Sequence, residues 1–215
     1  MKSLKCALCI LVPAFIMIAT GAFAATGPIT ENLKTVVDKV LTVLKDPAYG
    51  APEKKPDRDR LIHEIATGTF DWEEMARRTL GPHWRELKAE QQKQFIDAFV
   101  GFLESTYVSK IDAFLQGAKG FTVKDILYLT ETIEQDRYAI IETKILLNEK
   151  ELPLSYKLLH KSGKWVVYDI TIEGVGLVAN YRTQFNEILA NGSFEKLIEK
   201  LKSKQGVQIP DKKIE

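Results

Sequence analysis

Few residues in this chain could do chemistry by type and spacing. Asp169 is the sharpest of them, because a carboxylate on a strand near Tyr168, Tyr181 and Arg182 could be held as a general base in an apolar cup. The same aspartate could equally be ion-paired or hydrogen-bonded for structural reasons. Gly174-Val175-Gly176-Leu177-Val178-Ala179 has the G-x-G-x-x-A form of a dinucleotide turn, but that turn works inside a parallel βαβ unit with another strand to follow. Here little more than a helix follows, so the glycines read as a tight strand-to-helix corner. His63, His83 and His160 are isolated from one another and from any carboxylate cluster at ligand spacing, so no metal site is expected. The chain has no Gly-x-Ser-x-Gly elbow or P-loop.

Both cysteines, Cys6 and Cys9, lie in the first segment. There Lys2 and Lys5 precede an apolar run from Cys6 to Phe23, and Ala22-Phe23-Ala24 supplies the small-x-small pattern for cutting before Ala25. Residues 1–24 are expected to be an export signal. A retained anchor is the alternative, against which Pro13, Gly21 and the cleavage pattern argue. The mature chain, 25–215, would then carry no thiol, disulfide or cysteine-bound metal, and is long enough for one domain. Removing Lys2 and Lys5 from 30 basic and 29 acidic residues leaves 28 against 29, and nothing suggests a nucleic-acid partner.

The elements that must position these residues change period midway. Pro28 to Asp46 is an amphipathic helix inward at Leu33, Val36, Val37, Val40, Leu41 and Leu44; Tyr49 to Pro56 is a loop; Asp57 to Thr67 is a short helix. Asp71 is expected to cap a helix from Trp72 to Leu80, with Glu74 as its capping-box partner, and Gly81-Pro82 to end it. Ala89 to Gln116 is the longest helix and its apolar arc is too wide for one partner: Phe95, Phe99 and Phe102 form one stripe, Ile96, Leu103, Tyr107, Ile111 and Phe114 a second. From Phe121 the pattern alternates. Strands are expected over Phe121 to Ile133, Tyr138 to Leu147, Leu152 to His160 and Trp165 to Glu173, joined by links too short for crossovers and hence antiparallel. Their apolar faces read as Leu127 and Leu129; Ile141, Ile145 and Leu147; Leu152, Leu154, Tyr156 and Leu158; and Val166, Tyr168, Ile170 and Ile172, with Ile126 and Tyr128 competing in the first strand. A helix with Val175, Val178, Tyr181 and Phe185 on one side returns over the sheet, and a helix from Phe194 to Lys202 precedes a charged tail expected to fray.

Two ordered stretches carry a resemblance. Phe70-Asp71-Trp72-Glu73-Glu74-Met75-Ala76-Arg77-Arg78-Thr79-Leu80-Gly81-Pro82-His83-Trp84-Arg85, with Glu90-Gln91-Gln92, Phe95 and Thr106-Tyr107, is one; Val167-Tyr168-Asp169, Glu173-Gly174-Val175 and Asn180-Tyr181-Arg182-Thr183-Gln184-Phe185 is the other. Together they resemble the MlaC family, also called the toluene-tolerance family, of periplasmic phospholipid carriers. The resemblance implies an α+β fold: an NTF2-like curved antiparallel four-stranded sheet packed with several helices around an apolar cavity. It also implies a carrier in the periplasm that shuttles lipid between an inner-membrane ABC transporter complex with an MCE-domain protein and an outer-membrane lipoprotein with a porin. Such a carrier is no enzyme and needs no cofactor, the phospholipid being cargo.

The expected lipid-lining residues are Phe102, Tyr107, Ile111, Ile141, Ile145, Leu154, Tyr156, Val166, Tyr168, Ile170, Val175 and Leu177, any of which could instead be plain core. Asp169, Tyr181 and Arg182 are expected to be structural or near the headgroup, Arg182 pairing with Asp169 or approaching a phosphate. Two other classes compete: an NTF2-like enzyme on a small hydrophobic substrate with Asp169 as base, and an adaptor that docks a protein on its first helices.

Overall fold

Apolar residues recur every three or four positions from Pro28 to Gly117, which folds as helices, and alternate from Ile126 to Ile172, which folds as a sheet before two closing helices. The computed structural model describes residues 27–117, 120–147 and 150–208; the expected signal, the cleavage site before Ala25 and the chain after Gln208 lie outside them, as does the side chain of Leu147. Helix α1 (Pro28–Lys45) has no side-chain cap of its own. Its first turn is instead closed from the sheet, where the Glu131 carboxylate accepts from the Thr30 amide at 2.7 Å and the Thr30 hydroxyl at 2.6 Å. Two 3-10 turns, Pro47–Tyr49 and Pro52–Lys54, occupy the expected loop before α2 (Lys55–Thr67).

Helix α3 (Trp72–Leu80) is capped as expected, Asp71 accepting from the Glu74 amide at 3.1 Å. The return half of the capping box is not made. The Asp71 amide is already given to the Val167 carbonyl at 2.9 Å, which leaves the Glu74 carboxylate for Arg77 and Arg78. Gly81, at φ +56°, turns the chain into a 3-10 segment, Gly81–Glu86, ahead of the long α4 (Ala89–Gly117).

The sheet is an antiparallel meander in chain order: β1 (Ile126–Glu134), β2 (Tyr138–Leu147), β3 (Lys150–Lys161), β4 (Lys164–Ile172) and a fifth, two-residue strand, β5 (Val175–Gly176). The last was not expected. It covers one end of the β4 edge while Thr69 to Asp71 covers the other through Val167, so that edge is not left open. β1 starts later than Phe121, which is buried against Phe114 ahead of a 3-10 turn, Val123–Asp125.

Two β-bulges overturn part of the face assignment. In β1 the register shifts between Tyr128 and Thr130, so Leu129 is the extra residue; Tyr128 faces inward and Leu127 is 40% exposed. In β4 the shift between Lys157 and Leu158 makes Tyr168 the extra residue. Val167 then pairs with Leu158 on the inner face, while Val166 pairs with Leu159 and Tyr168 meets Tyr138 on the outer face. Ile170 and Ile172 remain inward, opposite Tyr156 and Leu154.

Helix α5 (Leu177–Ala190) packs on α3, and α6 (Phe194–Ser203) on α4. The tail does not fray at once: Val207 is buried, and Gln208 exchanges two hydrogen bonds with the Gln184 side chain, at 2.6 and 2.8 Å.

The core is divided. One buried cluster joins the helices through Met75, Leu80, Phe95, Phe99, Tyr181 and Phe185; a second joins the start of α1 to one end of the sheet through Ile29, Leu33, Ala139, Ile141, Leu158 and Val167. Partly buried Phe70 and Ile170 touch both. A domain of this size ordinarily has one contiguous core.

Candidate functional site

Half-buried apolar side chains form a band that continues from the two clusters, along the sheet's inner face on one side and along α4 on the other. The sheet's inner face can be followed row by row through its register. Ala139, Leu158 and Val167 form a row that is wholly buried. In the next, Ile141 is buried but Tyr156 and Ile170 are only half-buried; beyond it Leu154 and Ile172, then Ile145 and Leu152, are half-buried too. On β3 and β4 the face therefore passes from closed to open along the strands, while on the neighbouring strands Ile133 beside Ala139 is 48% exposed and Thr143 beside Leu154 is buried. Tyr156 is the telling residue: loss of water around it pushes its hydroxyl up to about 12, yet part of its surface is still uncovered. Burial also raises the Tyr128 hydroxyl, at the same end of α1 and β1.

Helix α4 shows the same gradient. Phe95, Phe99, Phe102 and Leu103 are buried, whereas Tyr107, Ile111, Phe114 and Leu115 are half-buried. Tyr107 marks the boundary, its hydroxyl 3.3 Å from that of the fully buried Tyr181. Helix α2 lies against α1 and meets the second half of α4 through charge: Arg58 donates to the two carboxylate oxygens of Asp112 at 3.0 and 2.8 Å. Burial lowers the Arg58 pKa, but hydrogen bonds to Asp112 and Asp59 more than offset this and leave it above its ordinary value.

Of the expected lining residues, Tyr107, Ile111, Ile145, Leu154, Tyr156 and Ile170 fall on this band, with Ile141 at its closed edge. Phe102 and Leu177 belong to the helical core. Val166 and Tyr168 are on the outer face because of the β4 bulge, and Val175 is on the surface at 37% exposure. Tyr128, Phe114, Leu152 and Ile172 also lie on the band without having been among the expected lining residues; an alternating pattern carried Leu152 and Ile172, but the bulge concealed Tyr128.

Asp169 is 5% exposed and on the face opposite Ile170. Its oxygens are both engaged, one accepting from the Val178 amide at 3.0 Å and the other from Lys157 at 3.2 Å. It closes the first turn of α5, which fills the position where a dinucleotide turn would hold a phosphate. Arg182 pairs with neither Asp169 nor an open mouth; it donates to the Arg78 carbonyl at 2.7 Å. Arg78 in turn lies over the Tyr168 ring, 4.3 Å from its centre. Two hollows, of about 400 and 350 Å³, flank α6 rather than the band, and Phe102 is the one expected lining residue that reaches either.

Residues 34–203 match the MlaC protein family. The chain belongs to the MlaC family. The resemblance read from its two motifs is thereby borne out, and with it the α+β fold of helices on a curved antiparallel sheet. Among curated proteins no sequence matches the chain. Among solved structures it is similar to a phospholipid-binding protein from Ralstonia solanacearum in complex with a phospholipid, with 24% identity and a TM-score of 0.69 over 85% of this chain and all of that one. Among the described residues no helix of this MlaC-family protein is long and apolar enough to cross a membrane.

Proposed function

We propose that this protein is a periplasmic phospholipid carrier that takes acyl chains into the band beside its two cores. The observation that carries this reading is the divided core, with Tyr107, Ile111, Leu154, Tyr156 and Ile170 only half-buried beside it. Membership of the MlaC family and likeness to a protein solved with a phospholipid support it. Two acyl chains hold about thirty methylenes, whose exposure to water would cost on the order of 20 kcal/mol at ~0.8 kcal/mol each. Ordering two chains and parting the walls of a narrow gap draw on that amount, and most of it is indifferent to the headgroup. The lipid is cargo, and the chain needs no cofactor and performs no hydrolysis. In this reading it is exported with its first 24 residues removed, and it exchanges lipid with an inner-membrane ABC transporter complex through an MCE-domain protein and with an outer-membrane lipoprotein associated with a porin.

Native mass spectrometry of the exported protein tests the reading: bound phospholipid is expected on the wild type, and Ile170→Glu is expected to lower occupancy several-fold while the domain stays folded. A wild-type protein with no lipid after export and none after mixing with liposomes would end it.

A further inference from the structure

Among the described residues, helix α2 is held to α4 by polar side-chain bonds. No α2 residue belongs to either buried apolar cluster, and of its apolar side chains only Ile62 is buried. Two polar contacts mark the seam, one of them an arginine–carboxylate ion pair. Arg58, its side chain 8% exposed, donates to Asp112 at 3.0 and 2.8 Å and to Asp59 at 3.2 and 3.0 Å. Nearly two turns away, the His63 Nδ1 lies 2.8 and 2.9 Å from the Glu104 carboxylate oxygens. Lys55 adds a longer approach to Asp112, at 4.0 Å. Helix α1, on which α2 lies, is fixed quite differently, by Ile29 and Leu33 in the sheet core and by Thr30 on Glu131. The α1–α2 pair is therefore anchored at one side in apolar packing and fastened at the other by ion pairs.

These two kinds of seam part at different cost. Opening an apolar seam exposes area in proportion to its size, whereas opening a charged one returns its groups to water and recovers much of what their burial cost. The forked geometry of Arg58 on Asp112 also brings the seam back to one register when it closes. The seam runs along Glu104 to Asp112, and the adjacent face of the same helical half carries Tyr107, Ile111 and Phe114, which belong to the half-buried band.

We propose that α2 is a latched wall of the lipid site, and that acyl chains pass into and out of the band through the α2–α4 seam when the Arg58–Asp112 and His63–Glu104 pairs part. This rests on the reading of the band as the lipid site. It adds which wall moves and which residues set the rate.

The test uses the exported protein with vesicles of phosphatidylethanolamine and phosphatidylglycerol that carry a fluorescent-tailed phospholipid, together with amide hydrogen exchange. Asp112→Asn is expected to speed both exchange of the α2 amides and lipid transfer about ten-fold, with bound lipid per protein unchanged. Glu104→Gln should do the same to a smaller extent, and it carries the test if Asp112→Asn fails to fold. Asp112→Glu, which keeps the charge, should stay close to the wild type, as should Lys144→Gln, which breaks an ion pair of 2.6 Å on the sheet. Faster α2 exchange with unaltered transfer would mean that lipid uses another way in, and unaltered α2 exchange would mean that the pairs are no latch; either overturns the proposal. A wild type that takes up no lipid would instead remove the reading of the site itself, which separates the two failures.

Discussion

The two halves of α4 are equally apolar and are treated in opposite ways. Phe95, Phe99 and Phe102, at 0, 1 and 3% exposure, meet Phe185 and Tyr181 of α5 in a set of edge-on rings. Tyr107, Ile111 and Phe114, one to three turns on, are half-buried and face the band. The difference lies in the partners, since both stripes are built from the same residue types. A side chain's hydrophobicity sets how strongly it seeks cover, while the topology decides whether protein or something else supplies it.

Truncation on either side of Tyr107 breaks or sharpens this contrast. Phe99→Ala removes a ring closed in by Phe95, Tyr181 and Phe185, and is expected to cost about 3–5 kcal/mol in urea unfolding, with lipid occupancy of the folded fraction unchanged. Leu154→Ala, on the open rows of the sheet, is expected to cost only about 1 kcal/mol, because its neighbours leave part of it uncovered, but to lower lipid occupancy. Equal stability losses at the two positions, with occupancy unmoved at Leu154, would mean one continuous core and no site.

An effect on stability smaller than that of Phe99→Ala is expected at the start of α5. Asp169→Ala removes the acceptor for the Val178 amide and the partner of Lys157, for an expected loss of about 1–2 kcal/mol in thermal unfolding. Lipid uptake should not change, since the carboxylate faces away from the band. A loss of uptake without a loss of stability would put Asp169 in the site after all.

What was legible in the sequence follows the same division. Helices and strands came through because their periods are long and regular, and the short links between strands forced the antiparallel meander. The bulges did not come through. Val166 and Val167 are the same residue type, so nothing in the pattern says which turns inward once Tyr168 is inserted, and the run Ile126 to Leu129 is apolar at every position. The Arg58–Asp112 pair was equally invisible, because a charged residue on a polar helix reads as solvated until a distant helix is brought beside it. Glu131 capping α1 from another element is a third case. For the band itself the choice between core and gap was not readable, since leucine, isoleucine and tyrosine serve both.

The smallest effect sharpens the contrast from the closed side. Burial raises the Glu74 pKa, but hydrogen bonds from Arg77 and Arg78 more than compensate and hold it below its ordinary value of 4.5. A carboxylate whose folded pKa is depressed contributes stability at pH above its unfolded value, and that contribution is lost as the pH falls through the folded value. Glu74→Gln is therefore expected to lower stability near neutral pH, by less than about 1 kcal/mol because both arginines are partly in water, and the variant and wild-type curves should converge as the pH falls below the ordinary glutamate range. Unfolding in urea across the acid range measures this. Lipid transfer by Glu74→Gln should match the wild type at every pH where both are folded, because this ion-pair cluster belongs to α3 and the closed helical core. Its counterpart at Arg58 and Asp112 faces the seam. If breaking the α3 cluster altered transfer as much as breaking the α2 one, ion pairs in the two regions would be doing the same job, and the distinction between a closed half and an opening half would fail.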